Sequence, residues 1–156
     1  MAYLSRYLPL SRIVMIVAVA ALVLGIVFVV QGVTKAEWMK DAMRLEQVTV
    51  GLDESAVAAG DVVDSAKEAQ AAGDEIREHR RGIAPTYGDL LGGGRYDAGN
   101  TTHLSYAQAL NMENYLYLAV LGFGVTDMVI AAGSFMIITG LALGATSIAL
   151  RRGRQR

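Results

Sequence analysis

Hydrophobic positions along this chain gather into two long runs separated by a mixed, mostly polar stretch. The first run is Ile13 to Val33, and the second begins near Tyr115 and closes at Leu150. Each contains about twenty consecutive residues without a formal charge, the length a helix needs to cross ~30 Å of hydrocarbon. The second run is too long for one untilted span and too short for a membrane hairpin. Starting its span at Met128 gives ~34 Å at about 1.5 Å per residue and puts Asp127 at the outer boundary. The pattern predicts an all-α membrane protein, with two transmembrane helices extended into a small helical extracytoplasmic domain that carries a long Gly-rich loop. Its expected segments are an N-terminal tail at 1–12, spans at 13–33 and 128–150, an external helical domain at 34–114, an apolar helix at the outer interface over 115–127, and a basic tail at 151–156.

Between the runs the helical pattern continues. Lys35, Glu37, Lys40, Asp41 and Arg44 alternate with Trp38, Met39, Met43 and Leu45, so the first helix is expected to reach about Val48. Trp38 is the expected interface anchor, because an amphipathic ring is favoured at the bilayer edge. A break is expected over Val48–Leu52, around Gly51. A second helix then follows, started by Asp53, Glu54 and Ser55 and running to about Ala71, with a smooth face of Ala56, Ala59, Val63, Ala66 and Ala69. Gly73 is expected to punctuate, and Asp74–Arg81 reads as a short, solvated, charged helix that Pro85 keeps from continuing. Ile83–Thr102 reads as a loop containing Gly92-Gly93-Gly94. Thr102, or Ser105 with Gln108 three residues on, is expected to cap the last helix. Leu121-Gly122-Phe123-Gly124 reads as a turn sequence outside the hydrocarbon.

Charge then orients the molecule. Arg6 and Arg12 precede the first run, and Arg151, Arg152, Arg154 and Arg156 follow the second. By the positive-inside rule both termini face the cytoplasm, as in a two-pass protein of the inner membrane. The segment from Thr34 to Glu113 holds eight Lys or Arg against fourteen Asp or Glu, so the formal net charge of −1 conceals an acidic middle between basic tails. Four arginines with no interleaved aromatic residues are a poor nucleic-acid site, and no nucleic-acid partner is expected. A cleaved signal peptide is the competing reading of the first run. That run exceeds a signal core, and Thr34-Lys35-Ala36 is a poor cleavage site, so an uncleaved anchor is expected. The chain has no cysteine, which removes both a disulfide framework and thiolate metal sites.

Candidate chemistry is sparse. Ala21 and Gly25 in the first span, and Gly133, Gly140 and Gly144 in the second, are the expected helix-packing positions, because small residues let backbones approach closely in lipid. Asp127, the one acid within the apolar runs, is a candidate for a polar boundary group or for a pore lining. Gly92-Gly93-Gly94-Arg95 lacks the context of a phosphate loop. His79, flanked by Glu78, Arg80 and Arg81, is a poor metal ligand, and His103 stands apart from it. Glu78 and Arg81 are spaced to pair along a helix. No catalytic, cofactor-binding or metal-ligating residue is expected, and neither a cofactor nor a small-molecule substrate.

The stretch Ile76–Arg95, IREHRRGIAPTYGDLLGGGR, with Glu113–Leu118 later, resembles a block found in bacterial two-span membrane proteins to which no activity is attached. The resemblance implies the two-span layout and carries over no residue roles. The resulting expectation is a non-enzymatic, structural membrane protein that self-associates through its small-residue helix faces and its external domain, with lipid as its solvent. The alternatives are an accessory subunit of a larger membrane enzyme or transporter complex, or a small oligomeric channel.

Overall fold

The computed structural model describes residues 7–153, with side chains from Leu10 onward. Arg6, Arg154 and Arg156 of the two basic tails lie outside the described residues. The elements are α1 (Tyr7–Glu46), α2 (Glu54–Ala58), α3 (Ala66–Ile83), α4 (Tyr87–Leu91) and α5 (Thr101–Arg152), and there is no strand among the described residues. Two of these helices, α1 and α5, are long and apolar enough to cross a membrane. Only 11% of the residues in their most apolar windows are buried, the reverse of a core helix in a soluble protein. The chain divides into two compact units, one formed by 1–35 with 126–156 and the other by 36–125.

In the first unit α1 and α5 run antiparallel along a seam of small residues. Ser147 Oγ donates to the Ser11 carbonyl oxygen at 2.8 Å, and both residues are buried. A Cβ placed on Gly140 would fall 2.9 Å from the Ala18 carbonyl oxygen, and one placed on Gly32 would fall 3.2 Å from that of Thr126. Gly25 and Gly133 face each other so closely that a Cβ on either would stand 2.7 Å from the other's carbonyl oxygen. Every seventh residue of α1 therefore meets every seventh residue of α5, counted backwards. Larger side chains such as Ile16, Phe135 and Ile138 point outwards.

The second unit buries bulk instead. Met43, Val63, Leu116 and Phe123 pack with Ala69, Ala72 and Ala119, and Met39, Val48 and Ile76 lie at the edge of the cluster. Besides the loop expected over Ile83–Thr102, which α4 interrupts at Tyr87–Leu91, three expectations about this unit need correction. The second helix does not run from 53 to 71: α2 stops at Ala58, Gly60 turns at φ +87, and helix resumes only after Ser65, whose own backbone is extended. The interruption lets Val63 enter the core while its N–H donates to the Val48 carbonyl oxygen at 2.8 Å. A continuous helix would have kept Val63 on the Ala stripe and left the space beside Leu116 unfilled. Ser65 then accepts from Glu68 N–H at 3.3 Å, and the Glu68 carboxylate reaches back to Asp64 N–H at 3.1 Å, which caps α3 at both groups.

Gly73 does not punctuate either. It lies inside α3, buried, with the Tyr117 ring 3.0 Å from where a Cβ would stand, so its small size serves packing and not chain reversal. The third correction concerns α5. Its first turn is capped by Asn100, whose Oδ1 accepts from Thr102 N–H at 2.9 Å and from His103 N–H at 3.4 Å. The helix then continues unbroken through Leu121-Gly122-Phe123-Gly124, because Phe123 is held in the core and Gly122 faces Met39. Gly51 is where a glycine is required twice over: it adopts φ +79, and a Cβ there would meet the Ala72 backbone at 2.9 Å.

Candidate functional site

The polar centre of the second unit is a buried ion pair that joins α3 to α5. Arg80 Nε donates to Glu113 Oε2 at 2.6 Å and Nη2 to Oε1 at 3.4 Å, so one edge of the guanidinium grips both carboxylate oxygens. A third donor, Nη1, goes to the Tyr106 hydroxyl, and the guanidinium carbon lies 5.0 Å from the Tyr106 ring centroid. Arg80 is 8% exposed, Glu113 6% and Tyr106 1%. The hydrogen bond that Arg80 donates to Glu113 is the largest influence holding the guanidinium above its ordinary pKa, against the opposing effect of burial.

One turn and a half along the same two helices lies a second polar contact. The Tyr117 hydroxyl donates to Asp74 Oδ1 at 2.7 Å, and Gln70 and Arg77 also donate to the Asp74 carboxylate, at 3.1 and 2.7 Å. These hydrogen bonds, that of Tyr117 first, hold the Asp74 carboxyl below its ordinary value. Burial, followed by the bond to Asp74, raises the Tyr117 phenol. Tyr106, Glu113 and Tyr117 follow one another at spacings of seven and four on α5, and Asp74 and Arg80 stand on the facing side of α3. Chemically, the arrangement fixes geometry. Each side-chain nitrogen of Arg80 and each carboxylate oxygen of Glu113 has a partner, and losing the pairing would leave two buried charges without compensation.

Sequence reasoning placed Arg80 on a solvated charged helix and gave Glu113 no role, and the pair corrects both readings. The available signal was Glu113 itself, the single formal charge between Thr101 and Val125. An isolated acid in an otherwise uncharged helix needs a cationic partner, and Arg80 lies on the nearest basic cluster. Arg77 pairs with Asp74, while the expected Glu78–Arg81 pair is absent among the described ion pairs.

The predicted packing residues divide. Gly25, Gly133 and Gly140 are buried in the seam of the first unit, whereas Ala21 and Gly144 are half-buried at its edge, with 3.9 Å from a Gly144 Cβ to that of Ala18. Asp127 is exposed on α5, outside that seam, and Trp38 is exposed on α1. Gly92 and Gly93 take positive φ, and the N–H groups of Gly92 and Gly94 donate to Gly88 and Leu91 carbonyls. The glycine triplet thus terminates α4 and offers neither N–H to an anion. His79 is exposed, and His103 Nδ1 accepts from Asp97 N–H at 3.1 Å while its ring stacks on Tyr96. No group of three or more His, Cys, Asp or Glu among the described residues is arranged to hold a metal ion. No family model, no curated protein and no solved structure matches the chain.

Proposed function

We propose that the chain is a non-enzymatic, self-associating structural protein of the cytoplasmic membrane. It crosses the bilayer twice, with both termini on the cytoplasmic side and the 34–114 segment outside. Basic residues at the ends and an acidic middle support that orientation. The antiparallel register supports a second span over 126–145, the residues that lie opposite Ile13 to Gly32, about twenty residues or ~30 Å of helix. Asp127 then lies level with Gln31 at the outer edge of the hydrocarbon, which suits a boundary carboxylate better than a pore group.

The observation that carries the self-association is the apolar surface left on the second unit. Trp38 is 64% exposed, Leu45 84%, Leu118 64% and Leu121 62%. Large side chains in such number outside a span need cover from protein or from the lipid interface. The small-residue seam is already occupied within one chain, which leaves the second unit as the surface for contact between copies. Native mass analysis of the complex extracted from its own membrane tests the proposal. A mass that is a whole multiple of the 16.6 kDa chain supports it, and a single-copy mass overturns it.

A further inference from the structure

Between Thr101 and Val125 the exposed side of α5 carries no formal charge, because Glu113, the only Asp, Glu, Lys or Arg there, is buried against Arg80. The exposed side of α3 is the opposite, with Glu75, Glu78 and Arg81. On α5 the exposed residues recur at steps of four and three: Leu104, Gln108, Asn111, Tyr115 and Leu118, with Val125 seven residues beyond. That is the spacing of a coiled-coil seam, about three heptads or ~33 Å long. The ridge they form is flanked on both sides. A groove of about 440 Å³ separates it from Tyr87 and Tyr96, and one of about 540 Å³ from Glu46 and Val48; Asn111 lines both.

The geometry points to a second copy of this chain as the occupant of that face, paired in parallel about a two-fold axis. The inference rests on the self-association proposed above and names its surface. Two copies anchored in one bilayer share their orientation and depth, so around a two-fold axis each ridge residue meets its own counterpart. Every residue of the seam must therefore tolerate itself. Leu104, Leu118 and Val125 do so by apolar contact. Gln108 and Asn111 do so by amide-to-amide hydrogen bonding, and Tyr115 by ring contact. A charge at any of these positions would repel its twin, and none is present.

The absence of cysteine makes the test direct in the full chain, in native membranes. Single replacements Asn111→Cys and Leu118→Cys should each cross-link into a covalent dimer on mild oxidation, at least tenfold more than Glu75→Cys on α3. Leu118→Glu, at an exposed position, should reduce the extracted complex to single copies while leaving helicity unchanged. Equal cross-linking at 111, 118 and 75 in a preparation whose mass is a multiple of the chain would overturn this interface and leave the self-association standing. A wild-type mass of one copy would remove both. A foreign polypeptide at fixed stoichiometry, with no homodimer cross-link, would assign the face to a different subunit and overturn the inference.

Discussion

The same two helices pack by opposite rules in the two units they serve. In the first unit the contact side of α1 and α5 is made of Ser11, Ala18, Gly25, Gly32, Thr126, Gly133, Gly140 and Ser147, and the bulky residues face away. In the second, α5 turns Tyr106, Leu116 and Phe123 inwards, and α1 contributes Met43. The difference follows from the solvent each unit is proposed to occupy. Water drives large apolar side chains together, so there the inside is large. Lipid gives no such drive, and close backbone approach with its dispersion contacts is what remains. The one buried ion pair among the described residues also belongs to the second unit.

The contrast can be broken first through charge. Arg80→Ala leaves Glu113 buried without its partner and should destabilise the second unit by about 3–5 kcal/mol, seen as a lowered unfolding midpoint of the full chain in mild detergent. The double replacement Arg80→Met with Glu113→Leu should recover most of that loss. An Arg80→Ala chain as stable as the wild type would remove the pair from the account of the fold.

Size should break the first unit. Gly25→Leu drives a side chain into the Gly133 carbonyl and should cost about 1–3 kcal/mol or more of helix pairing. Gly144→Leu, with its nearest neighbour 3.9 Å away, should be close to neutral. Equal losses at the two positions, measured by thermal unfolding in the same detergent, would show that the seam has no defined register.

The smallest effect is a pH window. The Asp74 carboxyl is lowered by its hydrogen bonds, so its contribution is present above about pH 4 and lost as acid protonates it. The Tyr117 phenol is raised, so its contribution is present below about pH 10 and lost as alkali ionises it. The unfolding midpoint should hold a plateau between those limits and fall at either side. Tyr117→Phe should remove the alkaline fall and weaken the acid one. A midpoint whose pH profile is identical in wild type and variant would exclude the contact as a contributor.

Much of this was legible in the chain because hydropathy and helix period are local properties. The two apolar runs, the continuation of α1 beyond Val33 and the helical character throughout need no knowledge of neighbours. The seam was read only in part. Gly140 and Gly144 look like a pair by spacing, yet the register on α1 uses every seventh residue and leaves Gly144 at the edge. Gly73 and Gly122 read as chain breaks because glycine is a weak helix former. Whether it breaks a helix or admits a neighbour depends on Tyr117 and Met39, which lie far away in sequence.

By itself, then, the sequence determined the helical class, the positions of the two runs and the separation of charge along the chain, since each follows from side-chain transfer between water and oil taken residue by residue. Tertiary structure alone decided that Arg80 is buried and paired with Glu113, that Val63 interrupts a helix to reach the core, and that Gly25 meets Gly133. Those outcomes depend on which surfaces come together across 33, 15 and 108 residues of chain: Arg80 with Glu113, Val63 with Val48, and Gly25 with Gly133. No local propensity encodes such pairings, because the cost of a buried charge or an added methyl group exists only once the opposing helix is in place.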